Sequence, residues 1–319
     1  MKRRRQFRFG VINETMAAAS QWLDCVRRTE DWGYDVFLIR DHFVPDVFGD
    51  QYAPIAALMA AAMVTRSLRV GTMVLDNDYR HPVLLAKEAA TVDVLSGGRF
   101  ELGMGAGWLR AEYAQAGIVY DSPGTRIERL EESLQIIKGL WSAAPITFTG
   151  HHYQIKDLDG TPKPVQQPHP PLLLGGGQRR MLTLAGKEAT SVGILTTSVA
   201  SGALIDDLRE RLPESVEQKV AWVREAAGSR FDSIELSLIP TVIMTENRRR
   251  RTEQLIAERG WGDIPVETVW EMPSILIGTT EQIIEDMLAR RERYGFSYYV
   301  ISDRHAEMCA PLVAGLAGR

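Results

Sequence analysis

Eight short runs of apolar or β-branched residues recur along the chain with helical stretches between them, and this alternation restricts the fold more than any other feature. The runs are Phe7–Asn13, Val36–Asp41, Arg69–Leu75, Phe100–Gly105, Pro171–Gly175, Ser191–Leu195, Ile234–Val242 and Tyr298–Ser302. Most are too apolar to have one wet face, as expected of parallel strands covered on both sides. Eight βα units predict a (β/α)8 TIM barrel forming one domain over residues 1–319, since such barrels reach this length around one core.

The intervening helices carry their own signals. Ile127, Leu130, Leu134, Ile137 and Trp141 repeat at three- and four-residue spacing, with Glu128, Arg129, Glu131 and Glu132 facing away. Thr279 followed by Gln282 is a capping-box pattern that opens a helix burying Ile283, Ile284, Met287 and Leu288. Pro82 opens another, running to about Leu95, because a first helical position needs no backbone donor. Two connections exceed plain βα loops, Ala144–Pro170 after strand 4 and Thr245–Ser274 after strand 7, and are read as insertions that cover a site. Arg248–Arg251, inside the second, is read as a solvated helix face.

Composition narrows the function classes. A formal charge of −4 gives no global field for a polyanion, which argues against nucleic acid as a partner. The longest apolar run, Ala53–Val64, is broken by Pro54 and is well short of the ~20 residues a membrane span needs. The basic start Lys2–Arg5 has no apolar stretch behind it and is read as a solvated lead-in rather than a signal. Cys25 and Cys309 show neither metal spacing nor a disulfide framework, which fits a reduced, cytoplasmic setting. The histidines 151, 152, 169 and 305 show no ligand spacing, so no metal site is expected.

In such a barrel the chemistry sits where strands end, and four segments qualify. At the end of strand 2, Asp41 is placed to orient and charge-tune His42, a proton donor or acceptor near neutral pH; a salt-bridged loop pair is the plain alternative. Strand 3 ends in Asp76-Asn77-Asp78, which reads equally as hydrogen-bond acceptors or as a turn. Gly103-Met104-Gly105-Ala106-Gly107-Trp108 lets a flat ligand approach the backbone beside an indole wall, although barrel packing also selects glycine. Gly175-Gly176-Gly177, followed by Gln178-Arg179-Arg180 at a helix start, reads as a phosphate site made from amides, helix dipole and guanidinium groups, with a plain flexible βα turn as the alternative. No Gly-x-Ser-x-Gly pattern or cysteine–base pair supports acyl chemistry, which leaves hydride chemistry.

Nearly the whole chain resembles the luciferase-like flavin and deazaflavin oxidoreductases, a superfamily of (β/α)8 barrels. The resemblance is carried by an ordered series: Asp41-His42-Phe43, Gly71-Thr72-Met73-Val74-Leu75, Tyr79-Arg80-His81-Pro82, Leu95-Ser96-Gly97-Gly98-Arg99-Phe100, Gly103–Trp108 and Pro170–Gly177. Asp41-His42, Asn77–Pro82 and Gly175–Leu182 look most like the branch that uses the deazaflavin coenzyme F420. The resemblance implies that Asp41 and His42 lie beside the reactive ring. It also implies that Met73 and Val74 sit at a third-strand bulge where relatives hold a non-proline cis peptide, with Asp76 nearby. Gly105, Ala106 and Gly107 would pack near the cofactor; Gly175, Gly176, Gly177 and Arg179 would hold its phosphate, and Thr196 and Thr197 would add hydroxyl contacts.

Two departures stand out. Several deazaflavin relatives carry a carboxylate where this chain has Trp108, and Glu112 reads as a distant substitute for it. Ala185-Gly186-Lys187-Glu188-Ala189-Thr190 replaces an alanine-rich stretch ending in Ala-Asp. The expectation is an F420-dependent oxidoreductase acting on a small organic substrate, with a separate cofactor-reducing enzyme as partner and, by analogy, a homodimer. The alternatives are a monooxygenase that takes reduced FMN from a reductase, and a non-catalytic cofactor-binding protein.

Overall fold

The computed structural model describes residues 5–45 and 47–319. Strands β1 (Arg8–Asn13), β2 (Val36–Ile39), β3 (Arg69–Thr72), β4 (Phe100–Gly105), β5 (Leu172–Gly176), β6 (Ser191–Ile194), β7 (Glu235–Leu238) and β8 (Phe296–Ser302) pair in parallel, each with the next. The ring closes where β8 meets β1, with Arg8 opposite Tyr298 and Ile12 opposite Ser302. This is the expected (β/α)8 barrel. Its outer ring comprises α1 (Ala19–Asp31), α2 (Pro54–Met63), α3 (Pro82–Leu95), α5 (Pro123–Trp141), α6 (Arg179–Glu188), α7 (Pro213–Ala227), α8 (Thr280–Tyr294) and α9 (Ala306–Leu316), while the short α4 (Arg110–Ala116) lies between β4 and α5 against the loops that follow the strands. Among the described residues no helix is long and apolar enough to cross a membrane.

The helix signals correspond to real contacts. On α5, Leu130, Leu134, Ile137 and Trp141 are buried and Ser122 accepts from the Thr125 amide as N-cap, but Arg129 and Glu132 do not simply face water. Arg129 pairs with Asp78 at 2.8 Å, and Glu132 accepts the amides of His151, His152 and Tyr153 at 2.7, 3.0 and 3.1 Å. Thr279 and Gln282 form both bonds of the capping box on α8. The lead-in Lys2–Arg4 lies outside the described residues; Arg5 is half-buried, donating to the Gly295 carbonyl at 3.1 Å over the Phe231 ring.

Three expectations need correction. The run Ile234–Val242 is two strands: β7 ends at Leu238, and Thr241–Met244 pairs outside the barrel with Ile275–Gly278. Pro240, which has no amide to donate, separates them. Those two strands, with helices Arg248–Arg259 and Val266–Glu271, enclose a small core of their own around Trp261, Val269, Met272 and Ile277. Arg248 there is bound to Asp286 at 2.6 Å and stacked on Trp270 rather than solvated, while Arg249 and Arg250 are exposed as expected. The first insertion follows α5; its hairpin, Ile146–Thr149 with Gln154–Leu158, lies along the outside of α3 and α5 and not across the mouth. Glu132 and Asp93 hold it there through its amides.

Inside the barrel, Ile12, Val36, Leu38, Met73, Leu173, Tyr298 and Val300 form one apolar layer. Below it lies an ionic floor: Arg8 binds Glu101 and Glu235 at 2.7 Å each, Arg69 also binds Glu101, and Ser191 donates to Glu235 at 3.0 Å. Burial opposes ionisation of Glu101, yet the charges of Arg8 and Arg69 hold its carboxyl below the usual range. Above the apolar layer β3 and β4 separate. The Gly103 amide donates to Thr72 Oγ1, which donates to the Gly103 carbonyl, both at 2.8 Å, and a Cβ on Gly103 would come within 1.9 Å of the Thr72 carbonyl oxygen. Past this point Met73–Val74 is a cis peptide, and Leu75–Asp76 resumes pairing with Met104–Gly105.

Candidate functional site

The C-terminal ends of β2 through β6 bring the sequence-predicted residues to one mouth: Asp41 and His42; Met73, Val74 and Asp76; Gly105 to Gly107; Gly175 to Gly177; and Thr196. Their partners differ from the expectation in one respect that decides the chemistry. Asp41 does not touch His42. Consecutive residues of a near-extended chain face opposite ways. Asp41 turns to Arg80, which grips both its oxygens, one at 2.9 Å, and it accepts the Asp76 amide at 3.1 Å.

His42 is bound instead by Glu112, the residue that sequence reasoning set aside. Glu112 lies on α4 and is fully buried; its carboxylate takes His42 Nδ1 at 2.9 Å, the Phe43 and Val44 amides at 2.5 and 3.1 Å, and Tyr79 Oη at 3.0 Å. Burial pushes its pKa up, but the hydrogen bonds and charge of His42 and the two backbone amides outweigh that and hold it below the ordinary glutamate range. Tyr79 is shifted the other way, by burial and then by the charges of Asp76 and Glu112, so it remains a donor. An ionised Glu112 only accepts, so Nδ1 carries a proton. Nε2 is left with no hydrogen-bond partner among the described residues, and Phe48 and Trp108 pack against the ring at 5.1 and 5.9 Å between centroids. A carboxylate that fixes the tautomer and leaves the other imidazole nitrogen open is an arrangement able to exchange a proton.

Asp76 supports the other side. It accepts the Asp78 amide at 2.9 Å and Tyr113 Oη at 2.9 and 3.0 Å, and burial with the neighbouring Asp78 and Asp41 pushes its carboxyl up to about 7. Gly107, at φ 71°, lies against this pair: a Cβ would fall 1.9 Å from Tyr113 Oη and 2.3 Å from Asp76 Oδ2. Arg126, buried on α5 over Tyr120, ties the loop down through the Ala106 and Gly107 carbonyls at 3.1 and 3.3 Å. Neither Arg126 nor Tyr113 was marked by the sequence.

The glycine run at the end of β5 faces the end of β6. Gln178 caps α6 without a side-chain bond, leaving first-turn amides available. Thr197 Oγ1 is buried with no partner among the described residues, close to Gly177, whose Cβ would lie 3.7 Å from the Thr197 carbonyl oxygen. A buried, unsatisfied hydroxyl beside free helix amides is complementary to a phosphate oxygen. Arg179 and Arg180 are less committed to this site: both are more than half exposed, paired with Glu225 at 3.5 Å and Glu128 at 2.8 Å. A hairpin the sequence did not announce, Ser198–Ala200 with Ala203–Ile205, extends from β6, and the Gly202 carbonyl at its tip accepts the Arg110 amide of α4 at 3.2 Å.

A family model described as luciferase-like monooxygenase matches residues 6–297. The chain belongs to that family. Among curated luciferase-like relatives, it is 29% identical over 209 residues to an FMNH(2)-dependent dimethylsulfone monooxygenase of Pseudomonas putida, covering 63% of this chain and 57% of that protein. It is 34% identical over 153 residues to an F420-dependent glucose-6-phosphate dehydrogenase of Amycolatopsis mediterranei, covering 47% of this chain and 46% of that protein. The chain thus spans about half the length of these relatives. A crystal structure of a monooxygenase from Streptomyces bottropensis superposes with a TM-score of 0.74 at 18% identity, covering 97% of this chain and 98% of that one. Luciferase-like relatives thus include both F420-dependent dehydrogenases and FMNH2-dependent monooxygenases.

Proposed function

We propose that the protein is an F420-dependent oxidoreductase that moves a hydride between the deazaflavin and a small organic substrate, with His42 exchanging the substrate proton. The observation that carries this reading is the His42–Glu112 pair, which leaves Nε2 unpartnered at the mouth. Oxidising a carbinol carbon by hydride loss requires a base for the hydroxyl proton, and a neutral imidazole with Nδ1 pinned is such a base. When bound, the deazaflavin supplies the ring carbon that takes or gives the hydride. Gly175, Gly176, Gly177, Thr196 and Thr197 would hold its phosphate, with Arg179 released from its exposed pair to join them. Met73, Val74, Gly105, Ala106 and Gly107 would back the ring, and Asp41 and Asp76 would border it.

A second reading, reduced FMN with oxygen, is favoured by the likeness to the dimethylsulfone monooxygenase, which extends over 63% of this chain. Binding of F420 and of FMN to the purified full chain, each followed by quenching of tryptophan fluorescence, separates the two. Tight F420 with weak FMN supports the hydride reading. The reverse, with oxygen consumed on adding reduced FMN, moves the assignment to a monooxygenase, and binding of neither removes both.

A further inference from the structure

Glu112 lies in the first turn of α4, so the point where α4 begins decides where its carboxylate meets His42. The helix has seven residues, too few to sustain itself by cooperative hydrogen bonding, and its N-cap, Leu109, provides no side-chain bond. The Glu112 amide turns back to the Leu109 carbonyl at 3.0 Å. The Arg110 amide, which no helix satisfies from within, is taken by the Gly202 carbonyl at 3.2 Å, from a distant part of the chain.

Gly202 stands at the tip of the hairpin after β6. Ser201 and Gly202 have φ of 53° and 82° between the paired Ala200 and Ala203, the backbone that a tight turn between twisted strands requires. The turn carries a side chain at Ser201 but has no room for one at Gly202. A Cβ there would lie 2.4 Å from Arg110 Cβ, 3.1 Å from the Arg110 amide nitrogen and 3.0 Å from Tyr120 Oη. Tyr120 Oη donates to the Trp108 carbonyl at 3.0 Å, so the tip, the start of α4 and the indole loop close on one another.

The foot of the hairpin is fixed. Asp206 binds Arg211 at 2.6 Å and also Arg259 of the second insertion. Lys219 of α7, fully buried, binds Glu210 at 2.5 Å and the Leu195 carbonyl at 2.7 Å. Val199, Leu204 and Ile205 between foot and tip are exposed, so these side chains do not seat the ribbon on the barrel. It stands as a post whose tip meets α4.

We infer that Gly202 is a positioning residue: its carbonyl holds the start of α4, and through α4 it keeps Glu112 on His42 Nδ1 and leaves Nε2 open. This rests on the acid–base reading of that pair. A methyl at position 202 has to displace Arg110 by about 1 Å to reach ordinary contact. A shift of that size, carried to Glu112 within the same turn, takes its 2.9 Å bond to Nδ1 beyond hydrogen-bonding length.

The test compares the full chain with Gly202→Ala and Ser201→Ala, reading the His42 tautomer by ring-nitrogen NMR, with the signal assigned from its loss in His42→Gln. In the wild type the Nδ1-protonated form exceeds the other by about tenfold or more, the ratio that one hydrogen bond to a charged acceptor supplies. In Gly202→Ala the excess falls to about threefold or less as that bond is lost, and in Ser201→Ala it stays as in the wild type. Adding Arg110→Gly to Gly202→Ala removes the closest clash and raises the ratio again. Hydrogen exchange on the unaltered protein gives a second reading that holds even where Gly202→Ala fails to fold: the Arg110 amide is protected along with the cross-strand amides of the hairpin. A Gly202→Ala protein with the wild-type ratio, or an Arg110 amide that exchanges like open chain, overturns the inference and leaves the acid–base reading standing. A wild-type His42 without the Nδ1-protonated preference overturns the acid–base reading and this inference with it.

Discussion

Replacing Glu112 with glutamine isolates the role of its charge at nearly constant volume. One oxygen receives the Phe43 and Val44 amides, and the other receives His42 Nδ1 and Tyr79 Oη. The carboxamide oxygen must stay with the two backbone donors, because turning the NH2 towards them sets donor against donor. The NH2 then faces His42, whose Nδ1 has to become the acceptor, so the proton moves to Nε2 and the free nitrogen loses its lone pair. Positioned acid–base catalysis contributes ~10²- to 10⁴-fold, so turnover in the alcohol-oxidising direction falls by about that factor, ~3–5 kcal/mol in barrier. Loss of hydrogen bonds to a charged acceptor costs ~1.5–3 kcal/mol, and for a chain of this length ~1 kcal/mol lowers the melting midpoint by about 1.5 °C. The wild-type carboxyl is held low on folding, so its contribution is present above about pH 4 and lost as pH falls further. The assay is a steady-state pH profile with a melting curve. Turnover within about threefold of wild type and an unchanged profile would refute the assignment of His42 as a base tuned by Glu112.

Three further outcomes are expected. Asp76 is raised to about 7 against an unfolded value near 4, so between those values the folded protein holds a proton the unfolded chain has released, and stability falls as pH rises. The slope is worth up to ~4 kcal/mol, and urea melts from pH 5 to 8 should show it flattened in Asp76→Asn. Gly107→Ala places a methyl at positive φ against Tyr113 and Asp76; the backbone cost alone is ~1–2 kcal/mol, and cofactor binding should fall with the melting midpoint. Thr197→Val removes a buried unpaired hydroxyl, so the free protein should gain up to ~1 kcal/mol while F420 affinity drops about tenfold by calorimetry.

The barrel was legible because its strands are buried on both faces and therefore read as unbroken apolar runs. That signal cannot say which sheet a run joins. Val242 looks like a continuation of β7 because only Pro240 marks the exit, and Ile275–Gly278, just past the supposed insertion, was left unassigned because its partner strand had already been given to the barrel. Within the site, the positions at strand ends were legible and their pairings were not. The opposite-facing geometry of Asp41 and His42 follows from extended backbone and was available from sequence alone. The Glu112–His42 contact spans 70 positions and depends on where a seven-residue helix is placed, which no local pattern encodes.

The ionic floor of Arg8, Arg69, Glu101 and Glu235 has a kinetic consequence. It stoppers the bore with groups that cannot part without stranding buried charge, so the barrel is a blind vessel with one opening. Whatever settles deepest must enter first and depart last. If the ring rests against Met73, Val74 and the Gly105–Gly107 backbone, with the smaller molecule above it at the rim, turnover follows an obligatory order: the cofactor loads before the substrate, and the product leaves before the spent cofactor can be exchanged.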